Sequence, residues 1–143
     1  MSESLVEKLS LRKCITVNED ENLKSVINIL AKNKIGALPV INLKKRIVGI
    51  ISERDIIKFL SNQRNKEIFS TKINLIMTRE VITCGIKARS DELMMIMTNN
   101  KIRHIPIKKN NQLLGMVSIG DVVGRLVEKY QKEAKLLREF ISM

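Results

Sequence analysis

The most informative segment of this chain reads Gly49-Ile50-Ile51-Ser52-Glu53-Arg54-Asp55, and it returns later as Gly115-Met116-Val117-Ser118-Ile119-Gly120-Asp121. In each copy, a short run of apolar residues leads into a Ser and an Asp three positions apart. That change of pattern indicates a buried strand that becomes a helix at the serine. Two such strand-to-helix corners in one chain indicate that a structural unit has been duplicated.

The repeat extends well beyond these two corners. Ile15 to Pro39 aligns without a gap on Ile82 to Pro106, an offset of 67 residues, and the only two prolines of the chain coincide. After the loss of one residue in the next turn, the aligned positions continue as Gly49 with Gly115, Ser52 with Ser118, Asp55 with Asp121 and Leu60 with Leu126. Such duplication predicts two similar units facing each other about a pseudo-two-fold axis.

Each copy predicts a strand, a helix, a hairpin and a second helix. The first strands are predicted at Cys14–Val17 and Val81–Cys84, the hairpins at Ala37–Ile41 with Arg46–Ile51 and at His104–Ile107 with Gln112–Val117, the latter joined by the turn Lys108–Asn111. The helices between them should end near Asn33 and Asn100, because Asn tolerates the left-handed conformation. The second helices should begin at Ser52 and Ser118. One such unit cannot bury its own sheet face, so we expect an α+β fold with two repeats packed sheet to sheet.

The chain divides into four predicted ranges. Residues 1–63 form the first repeat with an N-terminal segment, 64–72 a connection that includes the polar stretch Arg64–Ser70, 73–127 the second repeat, and 128–143 a helical extension. Along the last helix, apolar residues recur every three or four positions at Val123, Val127, Tyr130, Ala134, Leu137 and Ile141. This amphipathic extension needs an apolar partner, either the sheet of its own subunit or a second chain.

Composition narrows the class of protein. No apolar run approaches the ~20 residues that cross a bilayer, and no secretory signal is present, so we expect a cytoplasmic protein without membrane contact. Cys14, Cys84 and a single His leave no zinc ligand set and predict buried free thiols. The 26 Lys and Arg against 15 acidic residues give a net charge of +11, which favours phosphate-bearing partners in general. Scattered basic residues and 3% aromatics disfavour a platform for single-stranded nucleic acid.

The two corners have two interpretations. A helix N-terminus offers free backbone N–H groups, and a Ser and an Asp on one face can hold the two hydroxyls of a ribose. The same pair can instead form a capping box that serves the helix alone, although Glu or Gln is the usual partner there. The repetition of Asp, where Glu would cap better, favours ligand binding.

Taken whole, each copy resembles a cystathionine beta-synthase (CBS) repeat: Ile15-Thr16, a helix, Ala37-Leu38-Pro39-Val40, and then the corner. Residues 82–126 resemble a second repeat, so the resemblance covers nearly the whole chain. It implies a Bateman module, in which two repeats pack sheet to sheet and modules commonly form flat dimers. It also implies clefts between the repeats that bind AMP, ADP, ATP, S-adenosylmethionine or a related adenosyl ligand, with no other cofactor.

The resemblance assigns roles to single residues. The matches to the ribose site are Asp55 and Asp121, with Ser52 and Ser118 at the hydroxyl position. The matches to the adenine pocket are Ile15, Thr16, Ile82 and Thr83. The matches to phosphate positions are Arg54, Arg103 and His104. Because Gly36-Ala37 stands where the second copy has Arg103-His104, and Gly120 stands in place of Arg54, we expect the two clefts to differ.

The leading hypothesis is therefore a non-catalytic regulatory module that binds an adenosine nucleotide and forms a homodimer, with a partner protein left open. The alternative is a basic nucleic-acid-binding or protein-interaction module without a small ligand. An enzyme ranks third, because no nucleophile or metal set can be assembled, and His104 lacks a matching nucleophile and orienting group.

Overall fold

The helix, hairpin and helix of each repeat are duplicated within the chain, as predicted. A computed structural model describes residues 4–62 and 67–142. The elements of the first half are α1 (Leu5–Leu11), β1 (Val17–Asn18), α2 (Leu23–Asn33), β2 (Ala37–Ile41), β3 (Ile47–Ser52) and α3 (Glu53–Asn62). Those of the second half are two 3₁₀ turns (Ile68–Ser70 and Ile73–Leu75), α4 (Ser90–Asn100), β4 (His104–Lys109), β5 (Gln112–Ser118) and α5 (Ile119–Ile141). The α+β class and the long last helix are confirmed. Residues 63–66, which include the first three residues of the predicted connection 64–72, lie outside the described residues.

The two small sheets differ in their first strand. β2 pairs with β3 antiparallel and with β1 parallel, and β4 pairs with β5 antiparallel. The predicted strand Cys14–Val17 is wrong in its bounds, since only Val17–Asn18 pairs, and the predicted strand Val81–Cys84 is reduced to one bridge between Cys84 and Ile107. At both places the chain passes from one repeat to the other and so leaves the sheet.

Both repeats end their first helix in the same way. α2 ends at Asn33 and α4 at Asn100, as predicted, but the left-handed residues are the following Lys34 and Lys101, with φ of 53° and 54°. The asparagines remain helical and donate their side-chain amides to carbonyls four residues earlier. The helix ends were therefore predicted correctly for a reason that was wrong in detail.

The second hairpin turns more tightly than predicted. Lys108 and Lys109 belong to β4, and the turn consists of Asn110 and Asn111 alone, both at positive φ. Two left-handed residues match the twist of the flanking strands, and Asn adopts that conformation readily. The next strand ends at Ser118, so the last helix starts directly after this serine, as Ser52 precedes α3 in the first repeat.

The two hydrophobic cores exchange their N-terminal segments. The core around β2 and β3 contains Leu38, Val40 and Ile51 together with Ile73 and Met77. The core around β4 and β5 contains Ile105, Ile107 and Val117 together with Val6 and Leu9 of α1. Each repeat thus completes the core of the other, which brings segments from both halves to the seam between them.

Both cysteines have the free thiols that the sequence predicts, although only one of them is buried. Cys84 is buried and Cys14 is half-buried, and both are free. Burial raises the pKa of the Cys84 thiol to about 11, and it raises the pKa of Cys14 against an opposing effect of Arg12. Within residues 4–62 and 67–142, no helix combines the length and the apolar character needed to cross a bilayer.

Candidate ligand-binding clefts

Two clefts lie between the repeats, one at each strand-to-helix corner. The first cleft, about 400 Å³, is lined by the corner at Ser52–Asp55, by Thr78 and the segment 80–82, and by Lys101–His104. The second cleft, about 530 Å³, is lined by Ser118 and Asp121, by Arg12–Ile15 and by Lys34–Ala37. The two sets of segments correspond under the sequence repeat, so the clefts are related by the same pseudo-two-fold symmetry.

Most of the predicted site residues line one of these clefts. The first cleft is lined by Ser52, Arg54, Asp55, Ile82 and Arg103. The second is lined by Ile15, Ala37, Ser118 and Asp121. His104 borders both. Thr16 and Thr83 line neither cleft, whereas the isoleucines that precede them do.

Both corners form capping boxes. In the first, Oδ2 of Asp55 accepts hydrogen bonds from the backbone N–H and the hydroxyl of Ser52, each at 2.9 Å, and the Asp55 N–H donates to Ser52 Oγ at 3.2 Å. Ser118 and Asp121 repeat the arrangement with the same three distances. The capping interpretation is thus realised at both corners, and it uses only one oxygen of each carboxylate. Each serine hydroxyl is engaged with its aspartate, so it orients the carboxylate.

The second carboxylate oxygen distinguishes the two clefts. Oδ1 of Asp55 accepts a hydrogen bond from the hydroxyl of Thr78 at 2.9 Å. Asp121 instead faces Arg12, whose guanidinium lies 3.3 Å from Oδ2 and 3.5 Å from Oδ1. The first carboxylate therefore has a neutral neighbour, whereas the second has an ion-pair partner supplied by its own chain.

The pKa of Asp121 reflects this difference in surroundings. Burial acts to raise it, but hydrogen bonds from the Ser118 backbone, from Arg12 and from the Ser118 hydroxyl outweigh that effect and lower the pKa below its usual value. Asp121 is therefore held firmly as a carboxylate. A ligand hydroxyl that approached it would compete with a charged guanidinium, which forms stronger hydrogen bonds to a carboxylate than a neutral donor does.

The first cleft is bridged across the repeats by Arg54. Its Nη1 donates to the carbonyl oxygen of Lys101 at 2.7 Å, which leaves other N–H groups of the guanidinium for further acceptors. The charged residues that line this cleft are Glu53, Arg54, Asp55, Glu80, Lys101 and Arg103. Acidic and basic groups are balanced there, so this cleft does not select anions by net charge. Its apolar wall is formed by Ile50, Ile57, Val81, Ile82 and Ile102.

His104 lies between the two clefts. A Cβ placed on Gly36 would come within 3.3 Å of its Cε1, so the imidazole occupies the space that this glycine leaves open. Burial lowers the pKa of His104; Glu53 and Asp121 oppose that effect and Arg103 adds to it. The neutral form of the imidazole is therefore favoured near pH 7, which limits the cationic charge that His104 offers to a phosphate.

Two residues of the clefts were not predicted from the sequence. Thr78 and Arg12 contact the two aspartates, yet each lies in a segment that precedes a repeat and packs against the other one. The repeat alignment pairs Thr78 with Leu11, a difference in residue type, and Arg12 with Arg79, the same residue type in a different contact. Neither contact could be read from the sequence before the exchange of segments was known.

Comparison with known proteins agrees with this architecture. The CBS domain profile matches residues 6–62 and 72–128, which together make up most of the chain. The chain belongs to the CBS domain family. A mitochondrial CBS domain-containing protein of Arabidopsis thaliana, CBSX3, is 35% identical over 86% of this chain. The chain spans 61% of the length of that relative.

Solved CBS proteins have the same fold. ATU1752 from Agrobacterium tumefaciens is 33% identical, with a TM-score of 0.75, over 80% of this chain and 90% of its own. The CBS domain pair of MJ0100 is 26% identical, with a TM-score of 0.78, over 90% of this chain and 99% of its own. That pair was solved in complex with 5′-methylthioadenosine and S-adenosyl-L-methionine. The predicted tandem of two CBS repeats is therefore confirmed.

Proposed function

We propose that this protein is a non-catalytic regulatory module that binds an adenosine nucleotide or a related adenosyl ligand between its CBS repeats. The observation that carries the proposal is the carboxylate of Asp55, which is anchored through Oδ2 and exposes Oδ1 to a cavity built from both repeats. A carboxylate oxygen has two lone pairs, so Oδ1 can accept a ribose hydroxyl beside the Thr78 hydroxyl. The adenosyl ligands of the MJ0100 pair support this class of ligand.

The lining of the first cleft suits the other parts of such a ligand. Its isoleucines offer an apolar wall for a purine, as is typical of small-molecule sites. Arg54, Lys101 and Arg103 are the cations available to a phosphate, while Glu53 and Glu80 would accept a ligand amine. A ligand in this cleft contacts both repeats, so it stabilises whichever arrangement of the repeats it binds best, which is the basis of a regulatory effect.

Titration calorimetry with AMP, ADP, ATP, S-adenosylmethionine and 5′-methylthioadenosine tests the proposal, with GMP as a control of equal charge to AMP. We expect at least one adenosyl ligand to bind with one equivalent per chain, and GMP to bind more weakly than AMP. The absence of binding by every member of the panel would reject the proposal.

Replacing Arg12 by Ala should make the second cleft available to a ligand. The carboxylate of Asp121 then loses its ion-pair partner and becomes an acceptor comparable to that of Asp55. We expect the stoichiometry for 5′-methylthioadenosine to rise from one to two per chain. This ligand carries no phosphate, so the lost positive charge of Arg12 does not itself change the attraction. Calorimetry or native mass spectrometry measures the stoichiometry.

Arg79→Ala is the matched control. Arg79 aligns with Arg12 in the repeat but donates to the carbonyl of Asn74 and contacts no aspartate. The stoichiometry of this variant should stay at one. A wild-type protein with two equal sites, or an unchanged stoichiometry in the Arg12 variant, would show that Arg12 does not control the second cleft.

A further inference from the structure

The outer part of α5 presents an apolar face to solvent. Every residue from 127 to 142 is exposed, and the large apolar ones among them are Val127, Tyr130, Leu136, Leu137, Phe140 and Ile141. The CBS profile ends at residue 128, so this helical extension is additional to the repeat. The start of the helix is anchored, because Val122 is fully buried in the second core. The extension is therefore an already formed helix without an intramolecular cover among the described residues.

The apolar residues of the extension follow a heptad pattern. Val127, Tyr130, Ala134, Leu137 and Ile141 are spaced alternately by three and four residues, which places Val127, Ala134 and Ile141 at a and the other two at d. The opposite face is charged and carries Glu128, Lys129, Lys132, Lys135 and Glu139. An a/d seam of this kind is typical of a coiled coil, and two further exposed apolar residues, Leu136 and Phe140, lie outside it at c and g.

We propose that residues 127–141 pair with the same segment of a second copy of this chain, as a parallel, in-register coiled coil. β-Branched residues at a, here Val127 and Ile141, with Leu137 at d favour two parallel strands. The second copy is favoured over an unrelated partner because the charges beside the seam are self-complementary. This inference does not depend on the ligand proposed above.

The charges beside the seam select the parallel orientation. Glu133 occupies a g position and Arg138 an e position five residues later. In a parallel pair, the g position of one helix faces the e position five residues later in the other helix. Glu133 of each copy would therefore face Arg138 of the partner subunit, which gives two equivalent ion pairs. In an antiparallel pair, g faces g and e faces e, which offers no such pairing. Within the described residues, neither side chain forms an intramolecular ion pair.

The seam is short, spanning about two heptads or roughly 22 Å of helix. An isolated helix of that length would be marginal in water. Here, the first turns of α5 are held by packing against α4 and β5, so the helix does not have to form upon association. The exposed apolar side chains are then free to contribute to pairing.

Disulfide trapping of the full-length protein tests the seam. Ala134→Cys places a thiol at an a position in the middle of the seam, where the two copies lie close to each other. Lys132→Cys, on the outer face, is the matched control. Under mild oxidation we expect a disulfide-linked dimer from the Ala134 variant and none above the wild-type background from the Lys132 variant. Equal yields from the two, or no dimer from Ala134→Cys, would overturn the proposal.

Substitutions at two adjacent leucines distinguish pairing through the a/d seam from non-specific association of exposed apolar side chains. Leu137 at d and Leu136 outside the seam are 61% and 56% exposed, so neither substitution should unfold the monomer. In the Ala134→Cys background, Leu137→Asp should reduce association about tenfold or more, as expected for the loss of one buried leucine contact. Leu136→Asp should leave the cross-link unchanged. A reversed order of these two effects would assign the pairing to a different face of the helix.

The charge pair provides a rescue experiment. Glu133→Arg sets like charges opposite each other in the parallel pair and should lower the cross-linking yield several-fold. Adding Arg138→Glu to that variant restores opposite charges and should restore the yield. Two variants that both cross-link as the parent does would contradict the proposed register. Cys84 is buried and Cys14 is half-buried, and the wild-type protein measures whatever background they give.

Discussion

The Asp55→Asn variant should bind its adenosyl ligand about 1–3 kcal/mol more weakly than the wild type, which corresponds to roughly a 5- to 150-fold loss of affinity. The amide keeps one carbonyl oxygen that can still accept from the Ser52 backbone, so the cap of α3 is retained in part. What is lost is the charged acceptor on the cleft side, where Thr78 now donates. Calorimetry with the best ligand of the panel measures the loss.

Asp121→Asn is the control for this variant. It changes the same position of an equivalent capping box, so any cost to helix stability should be similar, and thermal denaturation of both variants checks this. Because Asp121 is engaged by Arg12, we expect less than about a twofold change in affinity at the first cleft. An unchanged affinity in Asp55→Asn, or an equal loss in the two variants, would contradict the assignment of the ribose to Asp55.

Gly115→Ala should destabilise the fold by about 1–3 kcal/mol, the usual cost of overpacking a core. A Cβ at this position would lie 2.9 Å from the carbonyl oxygen of Leu9, which is too close for a real contact. The backbone of α1 would have to move, and Val6 and Leu9 are buried only through its present position against β5. Chemical denaturation measures the free energy of unfolding, and hydrogen exchange in residues 5–11 should rise.

Gly124→Ala should change the stability in the opposite direction to Gly115→Ala. Gly124 lies inside α5, and an added Cβ there meets no atom within 4 Å. The substitution should raise stability by about 0.5–1 kcal/mol, because alanine loses less conformational freedom than glycine in a helix. A Gly115 variant as stable as the wild type would mean that α1 can shift on the second repeat at little cost.

Much of the fold could be predicted because the same sequence pattern occurs twice in the chain. The duplicated corners gave the strand-to-helix transitions at Ser52 and Ser118, and the coincidence of Pro39 with Pro106 gave the register of the repeats. The two first strands were predicted with wrong bounds for a physical reason. The Ile-Thr pattern of residues 15–16 and 82–83 is typical of a strand. The backbone there crosses from one repeat to the other, however, and has no neighbouring strand to pair with.

The candidate clefts were predicted in part. The aspartates could be found because their spacing from the serine is local and recurs. Arg12 and Thr78 could not, since their contacts depend on which core accepts α1 and which accepts residues 73–77. Apolar residues such as Val6 and Ile73 indicate burial but not the surface that buries them. The role of Lys34 and Lys101 as left-handed residues also has no sequence signal, because lysine rarely adopts that conformation.

The placement of α1 bears on the order in which the protein can be made. During synthesis α1 emerges well before β5, against which Val6 and Leu9 pack, because more than 100 residues separate them. The apolar side of α1 therefore stays uncovered until the ribosome has produced β5. Folding of the two repeats therefore depends on contacts between distant parts of the sequence, which makes it slow.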